Sequence, residues 1–136
     1  MNVKSIINEI IPSRLDFVPG FVDAVVRKLM ALRLSEDVVF AVKLSLHEAV
    51  VNAVRHGNKL KGDTAVHVVV EMREKEIALE VTDQGDGFDF SVIPNPTSEE
   101  NIGKLHGRGI FLIQGSMDSV EFLDRGRIIR MVKVIK

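Results

Sequence analysis

Apolar and polar positions change period several times along the chain, and each change marks an element. Residues 3–11, VKSIINEII, are short and rich in β-branched side chains, which predicts a strand stopped by Pro12. Ser13 with Asp16 three residues later reads as a capping box. Phe17, Phe21, Ala24, Val25, Leu29 and Leu32 then recur at helical spacing, with Gly20 weakening the first turns. Ser35 before Glu36 and Asp37 is an N-cap followed by acidic residues where the helix dipole favours them. The helix it opens is expected to run to about His56 and end at Gly57-Asn58. Thr64 to Met72 and Glu76 to Thr82 are strand-like runs joined by Arg73-Glu74-Lys75, a hairpin by spacing. Residues 84–106 hold no sustained period. Gly107 to Met117 reads as a helix entered through glycines, and Asp118 to Leu123 with Arg127 to Ile135 as a closing hairpin. The order β-α-α-β-β-loop-α-β-β predicts an α/β fold, a two-layer sandwich whose mixed, mostly antiparallel sheet carries helices on one face.

Composition narrows the class. The 136 residues fit one domain, 1–136, and 46% hydrophobic content supplies an ordinary core. Eighteen basic against nineteen acidic residues leave a formal net charge of −1, so nucleic acid and membrane surfaces lack an electrostatic footprint here. With no cysteine there is no disulfide, thiolate metal site or cysteine nucleophile. The first residues lack the apolar core of a secretory signal, and uncharged runs such as Phe90 to Ser98, which holds two prolines, are too short to span a bilayer. The expectation is a cytoplasmic protein.

The helix from Ser35 to His56 carries the most information. At about 100° per residue, Val39, Val42, Leu46, Ala49, Val50 and Ala53 form a wide apolar sector. Phe40, Leu44 and Val51 form a second. Glu36, Lys43 and His47 lie between them on one side as a solvent stripe, while Ser45, Glu48, Asn52, Arg55 and His56 lie on the other. A second polar stripe hemmed by apolar residues is either a structural hydrogen-bond network or a ligand-facing row, because unpaired buried polar groups are costly. Glu48 and Asn52 are spaced i and i+4 and project together. A carboxylate and an amide oxygen are hard donors suited to Mg²⁺, or to positioning a nucleophile beside it.

Two glycine segments add to this. Asp83-Gln84-Gly85-Asp86-Gly87 follows directly on a strand; it is either a simple turn or a loop that lets backbone approach a ligand closely. Its spacing does not fit an EF-hand. Gly107-Arg108-Gly109-Ile110 opens a helix, where backbone N–H groups can hold an anion, and it is not a Walker A loop.

Together, LSLHEAVVNAVRHG (44–57), VTDQGDGFD (81–89) and HGRGIFLIQGSMD (106–118) resemble the Bergerat-fold, histidine-kinase-like ATPases. The closer resemblance is to bacterial anti-sigma factors that are serine/threonine protein kinases, and the element order extends it across essentially the whole chain. The resemblance implies ATP and Mg²⁺ as cofactors, with Asn52 on the metal and Glu48 as general base. It implies that Asp83 accepts a hydrogen bond from the adenine amine, where guanine would present an unmatched carbonyl. Gly85 and Gly87 would pass close to base and sugar. Gly107, Arg108, Gly109 and Ile110 would offer backbone N–H groups to the phosphates, with Lys104, His106 and Arg108 as unranked side-chain candidates. Residues of about 89–106 become an ATP lid, which accounts for a long aperiodic loop. Implied partners are a sigma factor, which the protein would bind, and an anti-anti-sigma antagonist, a serine of which it would phosphorylate. A homodimer follows by analogy alone.

The chain departs from the family where many members carry a Gly-Thr pair beside the adenine: here Gly126 is followed by Arg127 and Ile128. That puts in doubt a water-linked contact to the base. HEAVV lacks the second histidine of a zinc protease, and no Gly-x-Ser-x-Gly elbow exists. His47 falls on the outer stripe and His67 within a strand, so both read as structural or solvated. The alternative function is a non-catalytic ATP-binding module that sequesters a protein partner, against which the presence of Glu48 argues. A simple ATPase is a weaker reading, there being no second domain to drive.

Overall fold

A computed structural model of the chain describes residues 3–59, 61, 63–85 and 109–135. Five strands, β1 (Lys4–Pro12), β2 (Ala65–Met72), β3 (Glu76–Thr82), β4 (Ser119–Leu123) and β5 (Ile128–Val134), form one sheet in the order β1-β2-β3-β5-β4. Every pairing is antiparallel. Among the described residues three helices, α1 (Val18–Met30), α2 (Glu36–Asn52) and α3 (Gly109–Ser116), make the second layer. This is the α/β sandwich expected from the pattern.

The layers meet through alternation. Val66, Val68 and Val70 of β2, Ile77, Leu79 and Val81 of β3, and Ile129 and Met131 of β5 point inward and are buried. Against them α1 presents Val18, Phe21, Val22, Val25 and Leu29, a stripe at i, i+3 and i+4 spacing. The opposite face of the sheet is polar where charges meet in register. Arg130 stands opposite Glu80 and reaches its carboxylate at 3.2 Å, and Glu121 at 3.6 Å. His67 is bonded to Asn8 Oδ1 across β1 and β2 at 2.7 Å, a structural role as expected for a strand histidine.

Helix α2 is the centre of the helical layer, in contact with α1, α3 and the sheet. The Ser35 hydroxyl accepts from the Val38 N–H at 3.3 Å, the predicted cap. Beyond Asn52 the last turn widens into a π-turn, Ala53–Gly57. The wider turn shifts the helical phase, so Arg55 and His56 are exposed rather than continuing the Glu48–Asn52 row. Phe40, in the second apolar sector, is 65% exposed; with Leu44 it edges a groove between α1 and α2. One further expectation is corrected. Ser13 caps no helix: a single 3₁₀ turn, Leu15–Phe17, precedes α1, and the Ser13 hydroxyl is buried as an acceptor for Asn58.

Candidate functional site

Glu48 and Asn52 lie one turn apart on α2, both half-buried. They face the first turn of α3. A Cβ built on Gly109 would stand 2.8 Å from Glu48 Oε2 and 3.2 Å from Asn52 Nδ2. The backbone at the start of α3 therefore sits directly against both side chains, and a side chain there would push the ends of Glu48 and Asn52 aside. Asn52 Nδ2 is buried and, among the described residues, has no hydrogen-bond partner. A buried amide donor left without a partner is costly, so this is a place where a missing group is expected. The carboxylate of Glu48 also lies 3.7 Å from His47 Nδ1. His47, on the outer stripe by its helical angle, thus reaches back to the site it adjoins.

The second part of the site is a knot around the exit of β3. Asp83 follows the inward positions Ile77, Leu79 and Val81, and its side chain faces the helical layer. Its carboxylate accepts from the Gly85 N–H at 2.8 Å. Gly57, at the end of the π-turn, lies so close that a Cβ there would overlap the Asp83 carboxyl group, and a Cβ on Gly85 would overlap the Gly57 carbonyl. Asn58, 2% exposed, ties the knot together. Its Nδ2 donates to Ser13 Oγ at 2.6 Å and to the Ala65 carbonyl at 2.9 Å, while its Oδ1 accepts from the Gln84 N–H at 2.6 Å. One buried amide thus joins the end of β1, the start of β2, the end of the second helix and the loop after β3. Replacing Asn58 with Ala leaves a donor and two acceptors unmatched and is expected to cost about 2–4 kcal/mol. Denaturant unfolding of the variant beside wild type measures it.

Between these two parts lies a narrow, partly open cavity, lined by Asn52, Ala53, Asp83, Ile110, Gly126 and Arg127 together with apolar side chains. Burial raises the Asp83 carboxyl above its ordinary value of 3.8, and the Gly85 N–H and the Arg127 guanidinium oppose that rise. A carboxyl raised on folding binds its proton more tightly in the native state. Its contribution to stability is therefore complete below the unfolded value and is lost as pH rises through the raised one. Asp83→Asn removes the group that titrates. The variant's unfolding midpoint relative to wild type is expected to rise with pH across the carboxylate range, which thermal melts in matched buffers would read.

Of the residues singled out from the sequence, Glu48, Asn52, Asp83, Gly85, Gly109 and Ile110 come together around this cavity and its approach. Gly87, Lys104, Gly107, Arg108 and the lid of about 89–106 lie outside the described residues. Three contributors go beyond the sequence expectations. Gly57 and Asn58 are more than a helix stop, and Gly-Asn directly after the Glu48–Asn52 row is the signal that could have shown it. Arg127 matters for more than the hydroxyl it lacks, since its inward register predicts a charge inside the cavity.

The chain matches the histidine kinase-like ATPase domain family over residues 11–133. It is 33% identical to the serine-protein kinase RsbW of Staphylococcus aureus strain bovine RF122 / ET3-1, and to that of strain MRSA252, over 91% of this chain and 90% of theirs. The protein of strain JH9 is 32% identical over the same shares. A helix carrying Glu48 and Asn52, a glycine loop after a strand and a glycine-led helix around one cavity agree with that match, and the chain belongs to the histidine kinase-like ATPase family, in the group that includes the RsbW proteins.

Proposed function

We propose that this chain is an ATP-dependent protein serine/threonine kinase that acts as an anti-sigma factor in the cytoplasm. It would bind a sigma factor and phosphorylate a serine of an anti-anti-sigma antagonist. The observation that carries the reading is the carboxylate of Glu48, held beside Asn52 against the backbone of Gly109. A site that only bound nucleotide would have no use for a base at that point.

The donor set fits Mg²⁺. Asn52 offers a hard amide oxygen, and its Nδ2, without a partner among the described residues, is a donor that suits a phosphate oxygen beside the ion; no cluster of three or more metal-binding side chains exists among those residues. Mg²⁺ commonly takes one or two protein ligands and completes its shell with phosphates and water. Asn52 would hold the ion, which when bound neutralises charge on the β- and γ-phosphates. The N–H groups at the start of α3, Gly109 and Ile110, suit phosphate oxygens at the same approach, with Gly107, Arg108 and Lys104 proposed beside them. Asp83, at the far end of the cavity, would accept from the adenine amine, so Asp83→Asn is also expected to weaken ATP binding. Gly85 and Gly87 would leave room for base and sugar.

The transfer balances simply. The serine Oγ of the antagonist bonds to the γ-phosphorus, the bond from that phosphorus to the β,γ-bridging oxygen breaks, and ADP leaves. Glu48 takes the serine proton. Two negative charges, or nearly so, then sit on the antagonist and repel it from its docking surface. Unphosphorylated antagonist would draw the kinase from its sigma factor.

The second reading, a sequestering module with ATP as structural ligand, is separated by one experiment. The protein is immobilised, an extract of the source cells is passed over it, and γ-labelled ATP with Mg²⁺ is added after washing. A retained sigma factor together with a small protein that becomes labelled on serine is the expected result. Retained partners without label, on a preparation shown to bind ATP, would overturn the kinase.

A further inference from the structure

Strands β3 and β5 run antiparallel with Val81 opposite Ile129, and their inward files are apolar along the core. Each file ends in a charge. Ile77, Leu79 and Val81 lead to Asp83; Met131 and Ile129 lead to Arg127. The ladder continues through that last pair, the Asp83 N–H donating to the Arg127 carbonyl at 2.9 Å. A carboxylate and a guanidinium therefore end side by side on the inner face of the sheet, and both line the cavity.

Arg127 is held there rather than hanging into solvent. Its side chain is 33% exposed, and its Nε lies 3.3 Å from both the carbonyl and a carboxylate oxygen of Asp124. Its Nη1 donates to the Gly85 carbonyl at 3.4 Å. These contacts draw on two of the five N–H donors that a guanidinium carries. The turn feeding it is unusual: Asp124, Arg125 and Gly126 all have positive φ, at 49°, 59° and 83°. Asp and Gly adopt the left-handed region readily, so Arg125 is the unusual member, and together the three deliver Arg127 to its inward register.

The chemistry of a matching ligand follows from the pair. Asp83 is an acceptor and Arg127 a donor, set next to one another on one wall. The edge of adenine presents the converse, an amine donor at N6 adjacent to an acceptor at N1. Guanine presents an acceptor at O6 adjacent to a donor at N1, the opposite order. Resting on the ATP reading of this cavity, we infer that Arg127 is a base-reading residue, donating a hydrogen bond to adenine N1 while Asp83 accepts from the N6 amine. The guanidinium charge also opposes the rise that burial gives the Asp83 carboxyl. Arg127 thereby supplies a direct donor where many family members carry a hydroxyl.

The test deletes the atom rather than the protein's structure. Wild type and Arg127→Ala are each titrated calorimetrically with ATP and with 1-deaza-ATP, in which N1 is a C–H, in the presence of Mg²⁺. Wild type is expected to bind 1-deaza-ATP about 10-fold more weakly than ATP or worse, as for loss of a charge-assisted hydrogen bond. Arg127→Ala is expected to bind ATP more weakly and to lose the distinction between the two nucleotides. Arg127→Gln, which keeps an amide donor, is expected to recover part of it. If wild type binds both nucleotides equally, or the alanine variant still discriminates, Arg127 only braces the Gly85 loop and the inference is overturned while the kinase stands. If wild type binds neither, the ATP reading falls and this inference with it.

Discussion

Alanine at position 85 is expected to cost the protein both its fold margin and its nucleotide site. The added methyl group overlaps the Gly57 carbonyl and lies 3.0 Å from Asp83 Oδ1. The first of these is backbone at the end of a helix anchored by Asn58, whose amide also holds the neighbouring loop residue, Gln84. Neither side of the contact can give without breaking that anchor, so the overpacking cost is expected at the upper end of the usual range, roughly 2–4 kcal/mol. The carboxylate at the cavity wall moves with the loop, and ATP affinity is expected to fall below detection. Two other glycines serve as controls. Gly20 in α1 and Gly115 in α3 have nothing within 4 Å of a built Cβ. Alanine at either is expected to stabilise by about 0.5–1 kcal/mol, because it removes conformational freedom from the unfolded chain. Equal losses at positions 20, 85 and 115 would show that the contacts around Gly85 do not govern the effect. Denaturant melts and ATP titrations on the three variants supply the comparison.

Glu48→Gln carries the largest expected effect on chemistry. Glutamine keeps the length and one oxygen of the side chain, and at 23% side-chain exposure Glu48 is not a major element of the core. Folding and ATP affinity are expected to stay near wild type. The rate of phosphoryl transfer is expected to drop about 10²- to 10⁴-fold, the usual contribution of a positioned general base. His47, 3.7 Å from the same carboxylate, is a separate matter. It is half-exposed and contributes little by itself, so His47→Ala is expected to leave transfer within a small factor of wild type. A comparison of single-turnover rates for both variants distinguishes a base at Glu48 from a general electrostatic effect of the pair.

The division between what was legible in the sequence and what was not tracks the range of the interactions. The strands and helices were visible because alternation and helical spacing are local. The hairpin of β2 and β3 was visible because a charged three-residue turn separates two β-branched runs. The pairing of Glu48 with Asn52 was likewise written in their spacing. Ser13 misleads because Ser-x-x-Asp satisfies a local rule while its hydroxyl is claimed by Asn58, 45 positions away. Arg55 and His56 fall on the wrong row because an even step of about 100° cannot register a π-turn. Phe40 falls in an apolar sector on the helical wheel and is nonetheless exposed, because the wheel shows direction and not what lies there. Arg127 is the opposite case: its parity with Ile129 and Met131 is local and legible, and the hydroxyl absent from its place masks the charge that is present. The contact of Gly109 with Glu48 and Asn52 joins segments far apart in sequence, with two strands between them, and no local pattern encodes it.

The central claim is that this chain itself moves the γ-phosphoryl group of ATP onto a serine of a protein partner. Its most direct test uses the small protein captured on the immobilised chain, produced separately and mixed with the purified chain, ATP and Mg²⁺, and read by intact mass. A gain of one phosphoryl group, on a serine, with wild type and none over the same interval with Glu48→Gln is the expected result. No gain with a wild-type preparation that binds ATP, or an equal gain with both proteins, would contradict it.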